Sequence, residues 1–193
     1  MYTLQTSVII GQASFKITNN GDFRMVLDCF NALNDIDLTE REQMYSALII
    51  FYEDINGLDD IVKYNSILYE LQLEMSKFMN GGKLEENQEK SRYRLIDWDK
   101  DSNLICSAIN KVANKEIRAL DYLHWWTFLG YYMAIGESPL STIVGIRNKI
   151  ARGKKLEDYE KRFRQENPEY FNMDYRTMEE QQAEKYVRNL WGE

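Results

Sequence analysis

The sequence predicts a mainly α protein, a helical bundle with a short N-terminal β-hairpin (α+β by strict count). Three observations predict it. Only two prolines occur in 193 residues, and the chain is rich in the helix formers Leu, Ile, Glu and Lys. From residue 22 onward, apolar side chains recur at three- and four-residue spacing. Before that point the pattern is different: β-branched pieces flank a Gly-containing turn.

The elements follow in order. Val8 to Ile10 and Ser14 to Thr18, separated by Gly11-Gln12, form the expected hairpin, with "NNG" closing it. Asp22 or Asn20 then caps a helix through "DFRMVLDCFNALN", whose apolar face is Phe23, Val26, Leu27 and Phe30. Thr39 and Glu42 have the spacing of a capping box, which satisfies two backbone donors and starts a helix over 40–55. A third helix is expected over 58–79, with Ile61, Tyr64, Leu68, Leu71 and Met75 on one face, stopped by Gly81-Gly82. Beyond a polar stretch, helices are expected over 100–113, 117–135, from the Ser138-Pro139 cap to 150, over 154–165 and over 177–191.

This organisation predicts four parts. Residues 1–82 hold the hairpin and an acidic helical part, 83–96 a polar linker without apolar period, 97–171 an aromatic-rich helical part, and 172–193 a C-terminal amphipathic helix. Charge divides at the same place. Of the net −7, all lies in 1–82, with twelve acidic against five basic residues, while 83–193 carries nineteen of each.

A chain of this size can bury a core without staples. Cys29 and Cys106 sit in apolar runs with no CxxC spacing and read as buried thiols of a reducing compartment. No charged, apolar leader opens the chain, so export by a signal peptide is not expected. The most apolar stretch, "YLHWWTFLGYYMAIG", has fifteen uncharged residues between Asp121 and Glu137, short of the roughly 20 a helix needs to span a bilayer, so it reads as a buried helix.

Four patterns bear on chemistry. Asp97, Asp99, Asp101 and Asn103 occupy the alternating positions of a calcium loop, but Ser102 stands where the turn needs Gly and Ala108 where the loop needs Glu. Acids at a helix N-terminus are the simpler use. His124 is the only histidine; a dyad with Cys29 or Cys106 would need it, whereas a hydrogen-bonded core role needs nothing else. No phosphate-loop spacing occurs. The run from Arg147 to Arg164 is basic, yet Glu157, Asp158 and Glu160 interleave with it, the pattern of a salt-bridged helix more than of a nucleic-acid surface. These readings predict no catalytic residue, no cofactor, no metal, no membrane span and no nucleic-acid partner.

The aromatic run places Trp125, Trp126, Tyr131 and Tyr132 too widely around a helix to share one face. Either other helices surround it or part of it meets another chain. Trp98, His124, Trp125, Trp126 and Phe128 are the expected structural core. Tyr186, Val187, Leu190 and Trp191 form the expected partner-binding stripe.

The pieces "NNGDFRMVLD", "RLIDWDKDSNLICSAI", "LHWWTFLGYYMAIGESPLSTIVGIRNKIARGKKLEDYEKRF" and "NPEYF" resemble a family of siphophage proteins of phages and prophages of Gram-positive bacteria, catalogued as bacteriophage gene product fifteen. The likeness covers about 8–171. It implies a non-enzymatic tail assembly chaperone in the cytoplasm of an infected host, encoded beside the tape measure protein and absent or minor in the virion. Its implied partners are the tape measure protein, the tail-tube protein and further copies of itself. A permanent tail component and an accessory DNA-binding protein are the competing readings.

Overall fold

The hairpin closes because Gly11 supplies the left-handed backbone (φ 59°) that a two-residue turn requires. Its strands β1 (Ser7–Ile10) and β2 (Ala13–Lys16) are antiparallel, with Val8 opposite Phe15 on the buried face. Eight α-helices follow among the described residues: α1 (Phe23–Leu33), α2 (Glu40–Phe51), α3 (Leu58–Lys63), α4 (Leu68–Met79), α5 (Ser102–Ala113), α6 (Trp125–Met133), α7 (Pro139–Ala151) and α8 (Asp158–Glu166). The structure is a computed structural model and describes residues 3–83, 93–173 and 175. The mainly α class with a short hairpin is therefore observed.

The chain divides into two units, Met1–Gln88 with Leu120–Gly130, and Glu89–Ala119 with Tyr131–Glu193. The linear partition expected from composition differs from this, because residues 120–130 return to the N-terminal unit. The expected linker 83–96 and C-terminal helix fall largely outside the described residues.

In the first unit α1 packs on α2, and Val26, Cys29, Ala47, Leu48 and Phe51 are buried at or near zero exposure. Leu27 and Phe30, expected on the inner face of α1, are half-buried, while Met25 and Cys29 take the buried positions. The helix expected over 40–55 stops at Phe51. Tyr52 leaves it in an extended conformation, bridges to Ile17 and buries its ring, with its hydroxyl donating to Leu71 O at 2.9 Å. Tertiary pairing with the hairpin outweighs helical continuation here.

The helix expected over 58–79 is two helices. Tyr64 and Ile67 adopt ψ near 13° and 14°, and a 3-10 turn at Asn65–Ile67 separates α3 from α4. Asn65 and Ser66 at the break compete with the helix for backbone hydrogen bonds.

The second unit is built from α5, α7 and α8. Ile105 and Ile109 of α5 are buried, and Ile143, Ile146 and Phe171 form a core bordered by Leu104, Ile150, Leu156 and Phe163. Ser138 and Ser141 complete a capping box with Pro139 at the first turn of α7, as the sequence predicts. The helix expected over 154–165 begins only at Asp158, where Glu157 and Glu160 form their own capping box.

Candidate functional site

Two clasps fix the chain, one in each unit. The first joins the hairpin exit to the start of α6. Asn19 and Asn20 have left-handed backbones (φ 50° and 53°), as does Gly21 (φ 78°), and this tight turn delivers Asp22 to the N-cap of α1. The Asp22 carboxylate accepts from Arg24 N–H at 3.0 Å and, across 101 residues, from Leu123 N–H at 2.8 Å. Phe23 N–H donates back to Leu123 O at 2.9 Å, so Asp22 and His124 sit in an isolated antiparallel bridge. The Arg24 guanidinium adds both carboxylate oxygens of Asp22 and Leu120 O.

This bridge is why the helix expected over 117–135 is short. Residues 120–124 lie outside any helix, with His124 bridged to Asp22, a 3-10 turn covers Ile117–Ala119, and α6 starts at Trp125. His124 stands at the position that caps α6. Its Nδ1 accepts from Trp126 N–H at 3.0 Å, while Nε2 lies 2.9 Å from Gln5 O. A carbonyl at Nε2 and an amide donor at Nδ1 together select the neutral Nε2–H tautomer. Burial pushes its pKa below the usual histidine range, against smaller opposing effects of Gln5 and Asp22.

The paired tryptophans have one task each. Trp125 Nε1–H donates to Met79 O at 2.8 Å and Trp126 Nε1–H to Phe78 O at 2.9 Å. These are two of the last carbonyls of α4, which a helix end leaves without intrahelical partners. Behind them Trp125 stacks on Phe128 at 5.3 Å, and Phe128 on Phe23 at 4.7 Å. Of the expected core residues, His124, Trp125 and Phe128 are buried, whereas Trp126 and Trp98 are half-buried. Trp98 belongs to the second unit, where it lies 5.6 Å from the Tyr132 ring.

The second clasp centres on Arg147, 3% exposed in the middle of α7. Its guanidinium holds the buried Asp101 carboxylate through two bonds, 2.6 and 2.9 Å, and donates to Tyr170 O and to Leu95 O at 3.0 Å. Asp101 is thus not the side-chain cap of α5 that acids near a helix start suggested; it serves the ion pair and accepts from Asp97 N–H. Asp97 in turn accepts from Asp99 and Lys100 N–H, tightening the turn before α5. Asp97 and Asp101 of the calcium-like pattern are bound to protein donors, while Asp99 is exposed. Among the described residues, no group of three or more His, Cys, Asp or Glu is placed to hold a metal ion.

Sequence periodicity held a signal for this clasp that the expectations above missed. Arg147 lies four residues after Ile143 and three before Ile150, on the apolar stripe of α7. A charge there calls for a buried partner.

Two further residues of the basic run are paired locally. Lys149 meets both oxygens of Glu160 at 2.7 and 2.8 Å, and Lys161 meets Asp158 at 2.8 Å. The Lys149 bond, followed by Glu157 N–H, holds the Glu160 carboxyl below the usual range. Cys29 is buried beside Met25, and its thiol points to Ala47 O at 3.6 Å. His124 has both ring nitrogens on backbone groups, so these two residues form no nucleophile and base pair. Cys106 is buried in the other unit.

The sequence blocks thus meet in space: "NNGDF" with "LHWW", and "DWDKDS" with "IRNK" and "NPEYF". A family model described as Bacteriophage Gp15 protein matches residues 3–171, a span that contains all of them. The chain belongs to this family. No curated protein and no solved structure matches the chain.

In this Gp15-family protein the blocks build the two clasps, and every buried side-chain polar atom among the described residues has a hydrogen-bond partner. Surface remains for other uses. A groove of about 440 Å³ on the first unit is lined by Arg41, Glu42, Tyr45, Leu58, Ile61 and Val62, of which Leu58 and Val62 are 63% and 74% exposed. A polar cleft of about 560 Å³ beside the first clasp is lined by Asn19, Asn20, Asp22, Arg24, Asp28 and Tyr122 among others. Among the described residues no helix is long and apolar enough to cross a membrane. The stripe Tyr186, Val187, Leu190 and Trp191 lies outside the described residues.

Proposed function

We propose that this phage protein is a non-enzymatic tail assembly chaperone that coats the tape measure protein until tail-tube subunits replace it. The observation that carries the reading is membership of the Gp15 family over 3–171. Two further observations support it. Buried polar side chains of the family blocks, Asp22 and Arg147 among them, are held in internal hydrogen bonds, and the apolar side chains Leu58 and Val62 stand exposed along α3.

The physical logic is that of a client with long helical apolar stripes. Such stripes aggregate when bare, so a cover must present apolar surface and remain soluble itself. Leu58, Val62 and Tyr45 supply apolar surface on the unit whose sequence carries the acidic excess. Tyr186, Val187, Leu190 and Trp191 supply a second stripe. The protein acts in the cytoplasm of the infected host, self-associates, and leaves before the virion is complete.

Co-expression with the tape measure protein encoded next to it tests this. The tape measure protein is soluble and co-purifies only with this chain present, and Leu58→Asp with Val62→Asp, or Leu190→Asp with Trp191→Asp, weakens the complex. A tape measure protein equally soluble alone and without association overturns the reading. Stoichiometric copies in purified tails, by mass spectrometry, would make the protein a permanent tail component instead.

A further inference from the structure

The second unit carries an apolar groove of about 340 Å³ whose walls are Leu95, Tyr132 and Ile135, with Leu140, Val144 and Gly145 of α7. No charged side chain lines it. Leu140 is buried, while Tyr132, Ile135 and Val144 are half-buried. Met133, next to Tyr132 in the chain, is 80% exposed, the largest value among the exposed large apolar side chains of the described residues. Contiguous apolar surface of this kind marks a place where another surface docks. At Gly145 a Cβ would meet nothing within 4 Å, so α7 offers exposed backbone there to a close approach.

The charges beside the groove identify the occupant. Glu137 is the only acidic residue between Asp121 and Glu157. It is exposed just before the N-cap of α7, and Arg152 is exposed at the C-cap. Among the described residues neither has an ion-pair partner. Arg152 Nε–H donates instead to Asn148 Oδ1 at 2.8 Å, and Asn148 lines the groove, which places the guanidinium at its edge. The other charges of α7 are engaged within the chain, Arg147 with Asp101 and Lys149 with Glu160. Glu137 stands eight residues before Gly145 and Arg152 seven after it. A face with an unpaired acid at one end, an unpaired base at the other and an uncharged groove between is complementary to itself when turned through a half rotation. A partner of one charge sign would be attracted at one end and repelled at the other.

We propose that a second copy of this chain docks on this face. The two α7 helices cross antiparallel near Gly145, and each Glu137 meets the Arg152 of the other copy. The pairing covers Val144 and the groove in both copies, and it sets the positive N-terminal end of each helix beside the negative C-terminal end of the other. It gives a surface to the self-association in the chaperone reading, on which it rests for that role only, and it needs no client.

Sedimentation velocity of the full chain across a concentration series tests it, with four variants beside the wild type. The wild type associates reversibly. Glu137→Arg and Arg152→Glu each set like charges against one another at both ends of the contact, and each weakens association on the order of tenfold or more. The chain carrying both changes restores opposite charges at both ends and associates as the wild type does. Val144→Asp, which puts a charge against the groove of the other copy, weakens association irrespective of the ends. Gly145→Cys supplies a second readout: under mild oxidation it forms a disulfide between copies, because equivalent residues at a two-fold crossing come close together. Cys29 and Cys106 are buried, so the wild type gives the background. A monomer at every concentration overturns the proposal, as does association that neither charge reversal alters or single losses that the double change fails to recover. A client that stays soluble alone leaves all these outcomes unchanged, so the pairing and the chaperone reading fail separately.

Discussion

The guanidinium of Arg147 meets the carboxylate of Asp101 end-on, Nη1 to Oδ2 at 2.6 Å and Nη2 to Oδ1 at 2.9 Å, with both side chains at most 3% exposed. The remaining donors of Arg147 reach Tyr170 O and Leu95 O, so one side chain ties α7 to the start of α5, to the chain before it and to the turn after α8. Such a pair adds little net stability by itself, but removing one partner strands a buried charge. Asp101→Leu and Arg147→Met are each expected to destabilise the protein by about 3–5 kcal/mol. Asp101→Leu with Arg147→Met is expected to cost clearly less than the sum of the single changes. Urea denaturation of the four proteins measures this; additive losses would contradict the coupling.

Gly21 offers a cleaner test of the other clasp. Its φ of 78° is left-handed, and a Cβ there would lie 2.6 Å from Phe78 Cζ and 3.2 Å from His124 Nε2. Gly11 has φ 59° with nothing within 4 Å. Gly11→Ala therefore meets backbone strain alone, about 1 kcal/mol. Gly21→Ala meets the same strain and a clash against a buried ring, about 2–4 kcal/mol in all. Comparing thermal or urea midpoints of the two variants isolates the crowding.

What was legible in the sequence was local. Thr39 with Glu42, Ser138 with Pro139, and Asp22 before Phe23 each declare a helix start within four residues, and each cap is present in the structure. What escaped was set by partners far along the chain. Tyr52 leaves its helix for Ile17, and residues 120–124 leave theirs for Asp22, against local propensity that reads as continuous helix. His124 caps α6 although histidine is not a usual capping residue, so no short motif announces it. The roles of Trp125 and Trp126 follow only once the end of α4 is known to lie against them. The family blocks were legible as blocks, yet their pairing in space was not.

Cys29 is expected to be chemically silent in the folded protein. Burial, assisted by the charge of Asp28, pushes its thiol up to about 12, so almost no thiolate exists near neutrality. Labelling of Cys29 by iodoacetamide near neutral pH should proceed only through unfolding, and should accelerate in Gly21→Ala about tenfold for every ~1.4 kcal/mol of stability lost. Mass spectrometry of the Cys29 peptide reads it. Rapid labelling of the native protein would show the thiol to be accessible.

His124 gives the protein a pH response that can be assigned without ambiguity, since no other histidine is present. Both nitrogens are engaged in a way that only the neutral ring satisfies, and burial holds its pKa below the ordinary value in the folded state. In the unfolded chain it returns to about 6.5. As pH falls through that value the unfolded state takes up a proton that the folded state refuses, so unfolding binds protons and stability drops. The loss begins near the unfolded pKa and ends at the depressed folded one, with a slope of at most about 1.4 kcal/mol per pH unit from this one group. His124→Asn keeps a side-chain oxygen able to accept from Trp126 N–H but removes the titration. The variant is expected to be less stable than the wild type at about pH 7.5, having lost the bond to Gln5 O, and to close that gap as pH approaches about 5. Urea midpoints across this range decide the matter: a gap that stays constant would mean that His124 titrates alike in both states, and one that widens toward acid would mean that the folded protein favours the imidazolium.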